Sequence, residues 1–314
     1  FGDADTYKIL KAAQILHEEG TAIPILLGNR EKIARLVTEN EMDLDGIQII
    51  DPYEEEEARM RYAKILHKKR KRKGMSLHDA QKAMRDRNYF GAMMVELGEG
   101  DAFVAGLTKN YPDSIRPALQ IIGRREDVHT VAGMHIVRTK NGPYFFADTT
   151  INKNPTADQL FEIARMTSEQ MKAFNVKPRI AMLSYSNFGS NIDENTQPII
   201  EATARLQKTF PEMIVDGDIQ ANVAVRQDIL EENYDFSTLT KAGGANTFIF
   251  PNLMSGNIAY KLTSEISQSE TIGPILLGMK KPVHILQLGS SVREIVNIAA
   301  IAVVDAQMWK EVKA

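Results

Sequence analysis

Short apolar runs hand over, through turns of small residues, to stretches with helical spacing along nearly the whole chain. That alternation restricts it to a largely parallel α/β arrangement. Residues 6–19 carry apolar side chains at Ile9, Leu10, Ala13, Ile15 and Leu16, the spacing of a helix. Asp5 or Thr6 is placed to cap it and Gly20 to end it. A strand is expected over 22–27, closed by Gly28-Asn29, then a helix over 30–39 and a strand over 47–50. The densest passage is 271–297, TIGPILLGMKKPVHILQLGSSVREIVN. Gly273-Pro274 reads as a turn and 283–286 as a short buried strand. Gly289-Ser290-Ser291 reads as a bend, with Ser291 capping a helix that starts at Val292. A strand entering a helix through small residues is a ready cradle for an anion.

Residues 54–73 predict a long helix, acidic at its start and basic from Lys64 to Lys73, which suits the helix dipole. HKKRKRKG is either a solvated helix end or a recognition site for a phosphorylated ligand. Helices follow over 77–85 and 89–97, where Met93 and Met94 read as core filler. A strand over 101–106 leads to the loop 107–113 and a helix opened by Ser114-Ile115-Arg116-Pro117. Arg116 is either a surface cation or a planar fork for phosphate. Near Asp127 the pattern changes to paired strands over 129–138 and 144–147 with a turn at Asn141-Gly142, a strong hairpin signal. Thr156 and Gln159 predict a capping box on a helix over 156–174. A strand over 179–183 ends in the polar loop SYSNFGS, 184–190. Further on come a helix over 196–209 and, after Asn297, an apolar helix through Ala306, with Trp309 near the end as a docking residue.

A chain of 314 residues, 43% hydrophobic, can bury a large core. Its net charge of −3 gives no electrostatic reason to expect nucleic acid or an anionic membrane as partner. With no cysteine, disulfides, thiolate metal sites and a catalytic Cys are excluded, which fits a cytoplasmic location. No apolar run reaches the ~18 residues of a spanning helix. Phe1-Gly2-Asp3-Ala4-Asp5 reads as the end of a strand and its turn, as in a piece of a longer polypeptide.

Several stretches together resemble the phosphate acetyl/butyryltransferase family. These are the GPI…G…KP…GSS passage from Gly273, the basic helix end with Arg70, SIRPA with Arg116, Asp148-Thr149-Thr150, LSYSNFGS, VDGDIQ, and FPNLMSGNIAYK. The resemblance covers about residues 2–307. It implies an α/β protein of two lobes with mainly parallel sheets flanked by helices, isocitrate/isopropylmalate dehydrogenase-like. The first lobe comprises 1–126 plus 273–314, the inserted second lobe 127–272, with a cleft between them. It also implies dimerisation through the second lobe, with a higher oligomer left open. Arg70, Ser114, Arg116, Tyr185, Ser186, Asn252, Asn257, Tyr260, Lys261 and Gln287 are the ligand-binding positions it implies.

The chain departs from the family at the reacting centre. Gln287 and Leu288 stand at the Ser-Arg pair and Glu294 at the later Asp, and Asn222 replaces an acidic residue. LTKNYPD replaces a serine-rich loop. The wording PVHIL is similar to the acetyltransferase-like C-terminal domain of NADP-dependent malic enzymes. On that likeness no catalytic residue is expected here. The chain would sense acetyl-CoA and control the oxidative decarboxylation of malate to pyruvate by a covalently linked malic enzyme domain, where NADP and a divalent metal would bind. The alternatives are an active phosphate acetyltransferase or other acyltransferase, with Gln287 orienting the acyl group and His284 as base, and an oligomerisation scaffold without ligand.

Overall fold

The computed structural model describes residues 1–311, the side chain of Glu311 excepted. Its strands in chain order are β1 (Ile25–Leu27), β2 (Gln48–Ile50), β3 (Phe103–Ala105), β4 (Ala132–Thr139), β5 (Gly142–Ala147), β6 (Ile180–Leu183), β7 (Val215–Ile219), β8 (Thr247–Ile249), β9 (Glu270–Leu277) and β10 (Val283–Ile285). Contacts divide the chain into two units, one of residues 1–125 with 279–314, the other of 126–278. The fold is mixed α/β with mainly parallel sheets flanked by helices.

In the first unit β1 pairs with β2 and β10 with β3, both in parallel. Phe1 and Gly2 join the two pairs. The Phe1 amino group donates to Ile25 O, Leu27 N donates to Phe1 O, and Gly2 N donates to Val104 O at 3.0 Å. The opening residues therefore act as the middle strand, and the spatial order is β2, β1, residues 1–2, β3, β10. Gly2 is required there, because a Cβ would lie 2.8 Å from that of Ala105. The helix Tyr7–Glu18 buries Ile9, Leu10, Ala13 and Leu16 and packs on the last helix, Val292–Glu311. Its expected side-chain caps are used elsewhere. The Thr6 hydroxyl donates to Asp3 O, and the Asp5 carboxylate pairs with Arg87. The basic helix runs Glu56–Arg70 and closes with a single tighter turn at Lys71–Lys73, where Gly74 takes φ +84°.

In the second unit a six-stranded sheet runs β7-β6-β8-β5-β4-β9. The hairpin β4–β5 forms with the Asn141-Gly142 turn at its tip. The helix Ala157–Ala173 carries the complete Thr156/Gln159 capping box. Gly273-Pro274 is not a turn. It lies inside β9 with a cis peptide. β9 is the edge strand, so proline's missing donor breaks no ladder on its outer side. The pairing with β4 shifts register between Met134 and Ile136. Gly273 sits against His135 there, where a Cβ would meet the imidazole at 2.6 Å. Among the described residues no helix is long and apolar enough to cross a membrane.

Candidate functional site

In the first unit the two sequence-predicted arginines stand on helices that touch each other. Arg70 ends the basic helix, and Arg116 stands on the helix Tyr111–Ile121. Burial pushes the Tyr89 phenol up, and Arg116 and Arg70 both lie close enough to oppose that rise, while Asp86 adds to it. Arg116 is held by Asp113 at 2.9 Å, one turn away. The Nε of Arg70 is buried and has no hydrogen-bond partner. A guanidinium donor withdrawn from water and left unpaired is an open position for an anionic oxygen. Ser114 does not face solvent. It is buried and donates to Asn110 O at 3.0 Å.

The strand–bend–helix passage forms as expected from β10 onward, and Ser291 is indeed a cap. Glu294 N donates to Ser291 Oγ, and the Glu294 carboxylate accepts from Ser291 N at 2.6 Å. Glu294 is thereby engaged by its own helix start. Gln287 is half-buried and Leu288 is 64% exposed. His284 is 0% exposed and its Nε2 lies 3.0 Å from Asp305 Oδ2 on the last helix. It is a core histidine fixed by a carboxylate, out of reach as a base for a substrate in solvent.

In the second unit the predicted residues fall into two groups. Tyr185 is exposed, and its hydrogen bond to Asp193 raises its pKa. Ser186 is buried in the same loop, sharing a hydrogen bond with Ser190 and accepting from Asn191 N. The other group belongs to the helix Leu253–Ser267. Asn252 caps it by accepting from Ser255 N, and the Asn257 amide donates to Thr149 O at 3.1 Å. Tyr260 is only 4% exposed. Its ring stacks on His135 with centroids 3.9 Å apart. Lys261 is exposed beside it.

Two buried carboxylates matter more than their sequence surroundings suggest. Asp3 accepts from Gly106 N at 2.7 Å, Leu107 N at 3.2 Å and the Thr108 hydroxyl, tying the first residues to the loop after β3. Asp148 accepts from the backbone amides of Gly133, Thr150, Ile151 and Asn152. Burial pushes its pKa up and those donors pull it back. An aspartate one residue past a strand end, followed by small polar residues, was the signal available for both. Among the described residues no group of His, Asp and Glu could hold a metal ion.

Residues 1–303 match the model of the phosphate acetyl/butaryl transferase family, and the chain belongs to that family. It is 37% identical over 310 residues to a phosphate acetyltransferase of Acetivibrio thermocellus, covering 96% of this chain and 92% of the relative. It is equally identical to one from Nitratidesulfovibrio vulgaris, of whose length it spans 43%. A phosphotransacetylase structure from Streptococcus pyogenes superposes with a TM-score of 0.89 at 35% identity, covering 98% of this chain and 93% of that one.

These findings overturn the reading of the chain as the regulatory domain of a malic enzyme. A relative matched over 92% of its own length is named for phosphate acetyl transfer. The linked catalytic domain, malate decarboxylation, NADP and the divalent metal lose their support with it. The likeness rested on a few residues around PVHIL, and the identity spread over 310 positions outweighs it.

Proposed function

We propose that this chain is a phosphate acyltransferase that moves an acetyl group between CoA sulfur and inorganic phosphate, with acetyl-CoA as substrate rather than effector. The observation that carries the proposal is the 37% identity over 96% of the chain to a protein named phosphate acetyltransferase. The unpartnered, buried Nε of Arg70 and the exposed guanidinium of Arg116 supply the planar donors that a phosphate needs.

In the direction from acetyl-CoA, an oxygen of the phosphate dianion attacks the thioester carbonyl carbon. The C–O bond forms, the C–S bond breaks, and the CoA thiolate leaves and takes a proton from solvent. The nucleophile carries its own charge, so no protein base is needed to generate it. Arg70 and Arg116 hold and orient the phosphate, and the Gln287 amide is a donor standing at the serine position of the family's Ser-Arg pair. Leu288 adds no charge stabilisation, so the reaction is slow for its family.

The test is formation of acetyl-CoA from acetyl phosphate and CoA. Thioester should accumulate in proportion to protein, and Arg70→Ala or Arg116→Ala should raise KM for acetyl phosphate. No thioester above the rate in buffer would refute the proposal.

A further inference from the structure

The first unit contains a cavity of about 460 Å³ that none of the residues above explains. It lies where three strand ends meet. Gly2 ends the middle strand and Asp3 follows it, Thr108 and Lys109 follow β3, and Tyr53 follows β2. Lys82 on the helix Leu77–Ala83, Arg85 in the turn after it, and Arg87 and Asn88 at the start of the helix Arg87–Leu97 complete the wall. The strand order reverses between residues 1–2 and β3, since chain succession runs outward to β1 and β2 on one side and to β3 and β10 on the other. Open α/β sheets bind ligands at that reversal, outside the carboxyl ends of the strands. The volume lies within the ~300–1,000 Å³ usual for small-molecule sites.

The wall is rich in donors that are not used up. Its two carboxylates are already occupied. Asp3 takes two backbone amides and a hydroxyl, and Asp86 takes Asn88 N and pairs with Lys109. Arg87 is paired with Asp5. Lys82 and Arg85 make no side-chain hydrogen bond or ion pair among the described residues, and both are exposed. Asn88 is 2% exposed, yet its Nδ2 has no hydrogen-bond partner. A buried amide donor left unpaired is destabilising, and an acceptor delivered by a ligand removes that cost. The Tyr53 ring, 64% exposed, offers a flat apolar face at the rim.

We infer that this cavity binds a nucleoside phosphate, with Lys82, Arg85 and the Asn88 amide on the phosphate oxygens and Tyr53 against the base. Two sources share that chemistry, the nucleotide half of CoA and a free nucleotide. The site uses neither Arg70 nor Arg116, and its occupancy is read without turnover, so it stands or falls apart from the transferase proposal.

The experiment is calorimetric titration of the protein with adenosine 3′,5′-bisphosphate and with ADP, beside the double variant Lys82→Ala/Arg85→Ala. Both side chains are exposed, so the variant should keep the fold, which circular dichroism checks. Binding by the wild type that weakens at least tenfold in the variant, and weakens with added salt, is the expected result. If the bisphosphate also competes with CoA and the variant raises KM for CoA at constant kcat, the ligand is CoA's own nucleotide. Binding without competition assigns the site to a free nucleotide. The inference is overturned if neither compound binds the wild type, or if both bind the variant as tightly.

Discussion

Acidification should destabilise the second unit through one side chain, His135. It stands on β4, is buried, and stacks on Tyr260. Its Nδ1 lies 2.7 Å from the Thr149 hydroxyl oxygen. That hydroxyl donates to Gly133 O, so Nδ1 carries a proton. Burial, with Lys261 adding, lowers its pKa from 6.5 to about 3. A histidine whose folded pKa is depressed is protonated first in the unfolded chain. Stability is therefore unaffected above pH 6.5 and falls as pH drops from 6.5 toward 3, by at most ~1.4 kcal/mol per pH unit. From pH 6.5 to 5.0 the loss is about 2 kcal/mol. His135→Asn keeps a donor for Thr149 and cannot titrate. It gives up the ring stack, so it is less stable at both pH values, by about 1 kcal/mol from the stack alone. Its stability should not fall by that further 2 kcal/mol. Urea unfolding of both proteins at pH 6.5 and 5.0, followed by hydrogen exchange of the β4 and β5 amides, reads the difference. Carboxylates common to both proteins cancel. An equal loss in wild type and variant would refute the reasoning.

Restoring the family's pair, Gln287→Ser with Leu288→Arg, should raise the rate of acetyl transfer by about 10²–10³, and an unchanged kcat would show that these positions do not limit the reaction. Asp148→Ala should cost about 3 kcal/mol or more, since it strands four backbone amides at once. Thermal unfolding within a degree of wild type would contradict it. Gly91→Ala should cost about 1–3 kcal/mol by overpacking, because its methyl would meet the Phe103 ring at 2.2 Å, and calorimetry would show it as a lowered Tm.

What could be read from the sequence was local in its physics. The capping box at Thr156 and Gln159, the Asn141-Gly142 hairpin and the cap at Ser291 depend on neighbours within four residues. What escaped depended on partners far along the chain. Asp5 looks like a cap until Arg87 takes its carboxylate, and Gly273-Pro274 looks like a turn until β4 pairs across it. Tyr260 sits in FPNLMSGNIAYK, but the spacing of that stretch could not reveal that His135, 125 positions earlier, would cover its ring. The cavity beside Asn88 is built from three strand ends separated by about a hundred residues, so no window of sequence contains it.

The two crossings between units set an order for synthesis. Residues 126–278 are contiguous and can fold as soon as they leave the ribosome. The other unit must wait. β3 pairs with β10, the helix Tyr7–Glu18 packs on Val292–Glu311, and Lys8 Nζ donates to Gly289 and Ser290 carbonyls. While the chain is nascent, one edge of β3 and the apolar face of that first helix stay uncovered for the time it takes to make more than 150 residues. At ~5–20 residues per second that is roughly ten to thirty seconds or so. A chaperone that shields bare apolar surface would find its substrate here in the early half of the polypeptide, and a ribosome stalled after Gly278 would release a chain with one finished unit and one open one.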